Sequence, residues 1–178
     1  TLVVKDSQIV AFNITHPYGL AALAGSSITI TDSVLKGLGY STTPIGSGLY
    51  ISGDASIDGL TIDGAVNGMY ITGGADFTMR NSTIVNATGY DIWIQNASTL
   101  RVGNTKFDRK HVMVLDTSKI IIDRIIRVSA IDDTRDPYEG VSVTVTSEGT
   151  NVGTGTTDED GVWFEFFEGA IISKGGYT

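Results

Sequence analysis

Fifteen aspartates, five glutamates, two histidines and no cysteine set the chemistry open to this chain of 178 residues. Asp58 and Asp63 flank one short apolar stretch, and Asp54, Asp76 and Asp91 stand beside neighbouring turn residues. Paired carboxylates cleave glycosidic bonds when their separation is right and one of them holds its proton near neutrality. Aspartate is equally an ordinary turn former. Turn formation explains these positions more simply, so no catalytic residue is assigned and the chain reads as a non-enzyme. His16 and His111 lie far apart and lack cysteine partners, which makes a poor transition-metal site. Asp132, Asp133 and Asp136 share one stretch, and Asp158, Glu159 and Asp160 another. Calcium takes six to eight oxygens from clusters of this kind, so Asp132, Asp133, Asp136, Asp158 and Asp160 are its candidates. The spacing is not that of an EF-hand, and solvated acidic turns are the plainer reading. No other cofactor is expected.

Four Asn-x-Ser/Thr sequons occur, at Asn13, Asn81, Asn86 and Asn96, although the chain has only seven asparagines. The excess predicts a glycosylated, extracellular chain. Turns that select Asn before Ser or Thr for backbone reasons would produce the same pattern.

The elements that must hold these residues follow from an internal repeat. The pattern is apolar, any, apolar, any, then usually Asn, Asp or Gly, then an apolar residue three places later. It appears as Leu2-Val4-Asp6-Ile9, Ile28-Ile30-Asp32-Leu35, Ala55-Ile57-Gly59-Ile62, Phe77-Met79-Asn81-Ile84 and Leu100-Val102-Asn104-Phe107, with a degraded copy at Ile120-Ile122-Arg124. Successive starts are 26, 27, 22, 23 and 20 residues apart. A second strand recurs between copies, as Leu49-Tyr50-Ile51, Met69-Tyr70-Ile71, Ile92-Trp93-Ile94 and Val112-Met113-Val114, with Ala21-Ala22-Leu23 a weaker first copy. One such unit cannot bury its apolar edge alone, whereas stacking coil on coil at about 4.8 Å closes a continuous core. The chain is therefore expected to be all-β, with a parallel β-solenoid of five to six coils over 1–125. Asp6, Asp32, Gly59, Asn81 and Asn104 fall where the chain must turn out of a strand, and these residue types tolerate left-handed backbone angles. The two longest repeats must bulge, at about 12–18 and 37–48.

Period-2 alternation turns Leu49, Ile51, Met69, Ile71, Ile92, Ile94, Val112 and Val114 inward. It then places Tyr50, Tyr70, Trp93 and Met113 outward in successive coils. An exposed aromatic stripe of this kind is a subunit contact or a sugar-stacking platform, or else simply a set of strand-compatible same-face neighbours.

Composition breaks inside the chain. Residues 1–125 hold ten acidic and nine basic side chains, while 126–178 hold ten acidic, including every Glu, and three basic. Alternating stretches at 128–133, 140–146 and 156–164, separated by turn clusters, predict a small and incomplete antiparallel β-sandwich over 126–178. With 41% hydrophobic residues, 18% charged residues and a mean hydropathy of +0.11, the whole should fold. A net charge of −8 lacks the positive surface that nucleic acids need. No apolar run approaches the roughly 18 residues of a membrane-spanning helix.

The motifs Asn81-Ser82-Thr83-Ile84 and Gly68-Met69-Tyr70-Ile71 resemble repeats of right-handed parallel β-helix proteins, the pectin-lyase-like and NosD-like group. That resemblance implies fold more than function, since lyases, glycosidases, adhesins, phage spikes and surface-layer proteins all use it. The lyases' arginine with its calcium-binding aspartates has no counterpart here, although Arg80 and Arg101 occupy outward strand positions. The segment from Val128 through Gly140-Val141 to Thr157-Asp158-Glu159-Asp160-Gly161 resembles carboxypeptidase-regulatory-like, or transthyretin-like, modules of surface proteins. Pro137 stands further from Gly140 than those modules usually have it.

The expected function is a structural one: a cell-surface, surface-layer or filament subunit of a prokaryote. Self-association into a fibre or lattice would proceed through the open solenoid end and the unpaired sandwich edge. The alternatives are a carbohydrate-binding or polysaccharide-processing domain, with a polysaccharide partner, and a phage or host adhesin.

Overall fold

The computed structural model describes residues 1–11, 18–41, 43–174 and 176–177. Asn13 and His16 lie outside them. The described chain divides into two compact units, 1–123 with 169–178, and 124–168.

The first unit is a β-solenoid in which each of the first four coils contributes three short parallel strands and the fifth contributes two, its second face reduced to a single bridge between Thr83 and Lys106. The first face stacks β1 (Leu2–Lys5), β4 (Ser27–Thr31), β7 (Asp54–Asp58), β10 (Asp76–Arg80), β13 (Thr99–Gly103) and β15 (Lys119–Ser129). The second stacks β2 (Gln8–Val10), β5 (Val34–Lys36), β8 (Thr61–Asp63) and β11 (Thr83–Val85). The third stacks β3 (Leu20–Ala22), β6 (Leu49–Ile51), β9 (Met69–Ile71), β12 (Ile92–Ile94) and β14 (Val112–Val114). Register keeps each repeat position in its own column, as in Leu49↔Met69 and Met69↔Ile92. The inward columns meet as one core, in which Ile30, Leu35, Leu49, Ile51, Ile62, Met69, Ile71, Met79, Ile92, Ile94, Leu100 and Ile120 are fully buried. The first copy of the third strand begins one residue earlier than its weak sequence signal suggests, which turns Ala22 inward and leaves Ala21 exposed.

The five anticipated turn residues all adopt left-handed backbone angles: Asp6 (φ 47°), Asp32 (44°), Gly59 (67°), Asn81 (49°) and Asn104 (49°). At Gly59 a Cβ would also press on the Asp32 carboxylate and backbone. The expected bulge at 37–48 holds a short 3-10 turn, Pro44–Gly46. The other expected bulge lies almost wholly outside the described residues.

In the second unit β16 (Ser142–Ser147) and β17 (Thr150–Thr156) pair as an antiparallel hairpin. Trp163, on β18 (Val162–Ser173), lies against Gly155 of that hairpin and is nearly buried. Thr157, 3% exposed, donates to the Tyr138 carbonyl at 2.7 Å and accepts the Val141 N–H at 3.0 Å. The end of β18 does not stay with this unit. It follows β15 in the solenoid's first sheet, and β19 (Gly176–Tyr177) pairs antiparallel with it. Among the described residues the antiparallel sheet expected over 126–178 is two strands, β16 and β17, while 169–173 of β18 group with the solenoid.

Candidate functional site

Several polar groups singled out by sequence hold coil to coil. The Asn104 amide donates to Asn81 Oδ1 at 2.8 Å, and the Asn81 amide donates to Asp58 Oδ1 at 2.8 Å. The Asn86 amide donates to Asp63 Oδ1, and the Asn96 amide to Thr72 Oγ1, each at 2.8 Å. Asn81, Asn86 and Asn96 are all exposed, and all three adopt left-handed angles. In the Asn81 sequon the hydroxyl position is Thr83, on β11, while the intervening Ser82 donates its Oγ to the Arg80 carbonyl and accepts the Leu60 N–H at 3.1 Å. Ser98 ends the Asn96 sequon and is fully buried, its hydroxyl donating to the Gln95 carbonyl at 2.8 Å. At the Asn96 corner turn geometry thus favours the hydroxyl two places on, and at the Asn81 corner the hydroxyl directly after the asparagine.

Asp58 and Asp63 are therefore amide acceptors, Asp63 with Lys36 Nζ a further 3.9 Å away. Arg101 Nη1 donates to Asp123 Oδ1 at 2.7 Å, where the Asp123 side chain is 1% exposed.

The outward column of the third sheet reads Ala21, Tyr50, Tyr70, Trp93, Met113. Tyr50 and Tyr70 stack with centroids 5.7 Å apart and planes 11° off parallel, and Trp93 continues the stack at 5.3 Å. Tyr90 packs its edge on Trp93 at 5.5 Å. This column is not the open stripe expected. Tyr70 is only 4% exposed, and Tyr50, Trp93 and Met113 are half-buried, because rings one coil apart cover each other's faces. Burial pushes the Tyr70 hydroxyl pKa upward, and its neighbour Tyr50 adds to the rise.

One column departs from its own rule. The residue before the third strand of each coil is Gly19, Gly48, Gly68, Asp91 and His111 in turn. A Cβ on Gly48 would strike the Asn67 carbonyl, and one on Gly68 the Asp91 carbonyl and Ile84. In the fourth coil the column opens into a cleft of about 360 Å³, lined by Ile84, Asp91, Lys106, Phe107, Asp108 and His111 among others. Asp91 is 4% exposed and ties down the next coil's turn. Its Oδ2 accepts the Asp108 N–H at 2.7 Å, and its own N–H donates to the His111 carbonyl at 2.8 Å. Burial raises the Asp91 pKa, against the Asp108 N–H and the nearby His111, which lower it; the Asp108 carboxylate adds to the rise. Sequence reasoning noted Asp91 only as lying near a turn. The available signal was the substitution of Asp91-Ile92 for Gly48-Leu49 and Gly68-Met69.

Three of the proposed calcium ligands, Asp132, Asp136 and Asp158, accept hydrogen bonds within their own turns. Asp132 Oδ1 accepts the N–H groups of Thr134 and Asp136 at 2.8 and 3.0 Å, bonds that hold its pKa down together with the Thr134 hydroxyl, the largest cause. Asp158 Oδ1 accepts from Asp160 and Val162 at 3.1 and 2.8 Å. Asp133, Asp136 and Asp160 are exposed on the same turns. Among the described residues no three His, Asp or Glu side chains converge as a metal site.

A family profile described as "Right handed beta helix region" matches residues 18–154. The chain belongs to the right-handed β-helix family. Neither the curated proteins nor the solved structures compared with it match. This β-helix domain fits a surface or polysaccharide-related protein, and its family holds both enzymes and non-enzymes. No helix among the described residues is long and apolar enough to cross a membrane.

Proposed function

We propose that this β-helix is a non-enzymatic structural segment of an extracellular, cell-surface protein, a surface-layer or filament component of a prokaryote. The supporting observation is how the reactive side chains are used. Asp58, Asp63, Asn81, Asn86, Asn96 and Asn104 register one coil on the next, and the aromatic column packs on itself. A solenoid so cross-linked is a rigid spacer. Electron microscopy of native material, with mass spectrometry of Asn13, Asn81, Asn86 and Asn96, tests the reading. Filaments or sheets bearing glycans support it; dispersed, unmodified monomers overturn it.

A second reading, polysaccharide processing, is favoured by one observation, the buried Asp91 beside Asp108 in the fourth-coil cleft. Incubation with a panel of neutral and acidic polysaccharides decides it. New reducing ends or unsaturated products, lost in Asp91→Asn, would establish that reading and remove the first.

A further inference from the structure

The acidic chain carries one concentrated basic turn. Lys106, Arg109 and Lys110 are exposed in the fifth coil beside exposed His111, with Asp108 the one carboxylate among residues 106–111. Clefts open on both sides of this turn. One is the Asp91 cleft, with Ile84 and Phe107 as apolar lining. The other, of about 270 Å³, is lined by Asn104, Thr105, Arg109 and Asp123 among others.

The second unit has the opposite character. Residues 124–168 hold ten acidic and three basic side chains. Seven of the acids stand in two loops, 132–139 and 158–160, where Arg135 is the only basic residue. The bases of those loops adjoin: the Ala130 N–H donates to the Gly161 carbonyl at 2.8 Å, and the Tyr138 N–H to the Ala130 carbonyl at 3.0 Å. Ile131 (62% exposed) and Tyr138 (56%) stand bare beside the carboxylates. Asp132 and Asp158 each close their own turn through side-chain hydrogen bonds to backbone N–H groups.

We propose that the basic turn Lys106–His111 of one copy receives the acidic loops 132–139 and 158–160 of a second copy. Charge complementarity selects this occupant. Two molecules of net charge −8 repel across most of their surfaces, so a local basic patch fixes where and in which orientation they meet. The exposed Ile131 and Tyr138 supply apolar area for the flanking clefts. Donor and acceptor surfaces differ, so the contact is heterologous, one copy's turn meeting the next copy's loops head to tail. Such contacts build fibres where the rotation stays open and rings where it closes. The inference rests on the structural reading above and gives it an assembly rule.

Sedimentation velocity of the 178-residue chain tests it, with two variants that avoid the turn-closing Asp132 and Asp158. One is Lys106→Glu with Lys110→Glu; the other is Asp133→Lys with Asp160→Lys. The parent is expected to associate as concentration rises, and each variant to associate at least about tenfold more weakly. An equimolar mixture of the two variants should regain association, because each reversed surface then meets its complement. Circular dichroism of both variants checks that the fold is kept. A parent that stays monomeric, variants that associate as tightly as the parent, or a mixture no better than its components would each overturn the proposal. So would a monomeric parent that binds heparin beads through Lys106 and Lys110, which would make the turn a site for anionic polysaccharide. Polysaccharide turnover, which would remove the structural reading, leaves this measurement unaffected.

Discussion

Asn104 hands its side-chain amide to Asn81 Oδ1 at 2.8 Å, and both residues sit at the same left-handed corner of adjacent coils. A single residue type thus meets two demands, backbone angle and coil registration. Asn81→Ala loses both: about 1 kcal/mol for the left-handed angle and about 1 kcal/mol for the amide bonds. Asn81→Gly keeps the angle and loses only the bonds. Urea titration should rank parent, Gly variant, Ala variant in falling stability. A glycine variant no better than alanine would remove the backbone half of the account.

The aromatic column should behave as a stack whose middle ring matters most. Tyr70, covered by Tyr50 and Trp93, should cost about 3 kcal/mol on truncation to Ala, and half-buried Tyr50 distinctly less. A double-mutant cycle between Tyr50 and Tyr70 should give about 1 kcal/mol of coupling. Zero coupling would mean the rings merely share a face.

Arg101 neutralises a carboxylate that has lost its water. Replacing it with Met takes the guanidinium away from a buried carboxylate, at a cost of about 3 kcal/mol. The double replacement, Arg101→Met with Asp123→Leu, should recover most of that loss in thermal unfolding.

Asp91 carries the pH prediction. Its folded pKa lies above the ordinary carboxylate value of 3.8 because burial penalises the charged form. The folded chain therefore holds this proton more tightly than the unfolded chain does. The resulting stabilisation is complete below 3.8 and is lost as pH rises through the raised value. Asp91→Asn keeps an oxygen to accept the Asp108 N–H and removes the charge. Its stability relative to the parent should improve as pH rises from 3 to about 7 in urea titrations. A difference that stays flat, or runs the other way, would show that Asp91 is not held against its charge.

Much of this protein was written in its periodicity. Spacings of 20 to 27 residues, with alternation inside each copy, dictate the coils, the inward columns and the turn residues. Those features depend on local geometry, where side chains alternate every two residues and only some residue types accept a left-handed angle. The sequon excess was legible too, and one partner explains part of it: Ser98, the hydroxyl residue of the Asn96 sequon, closes the same corner that Asn96 turns.

What depends on the distance between columns was not legible. Tyr70 lies outward by alternation and is nonetheless buried, because rings one coil apart reach each other. Asp91 looks like any turn aspartate until the glycine column above it shows that the site has opened. Residues 169–173 read as part of the acidic module, yet an unpaired solenoid strand competes for them and wins. Local pattern decides which way a side chain points; only the stacked chain decides what stands beside it, since that neighbour comes from a residue a full coil or more away.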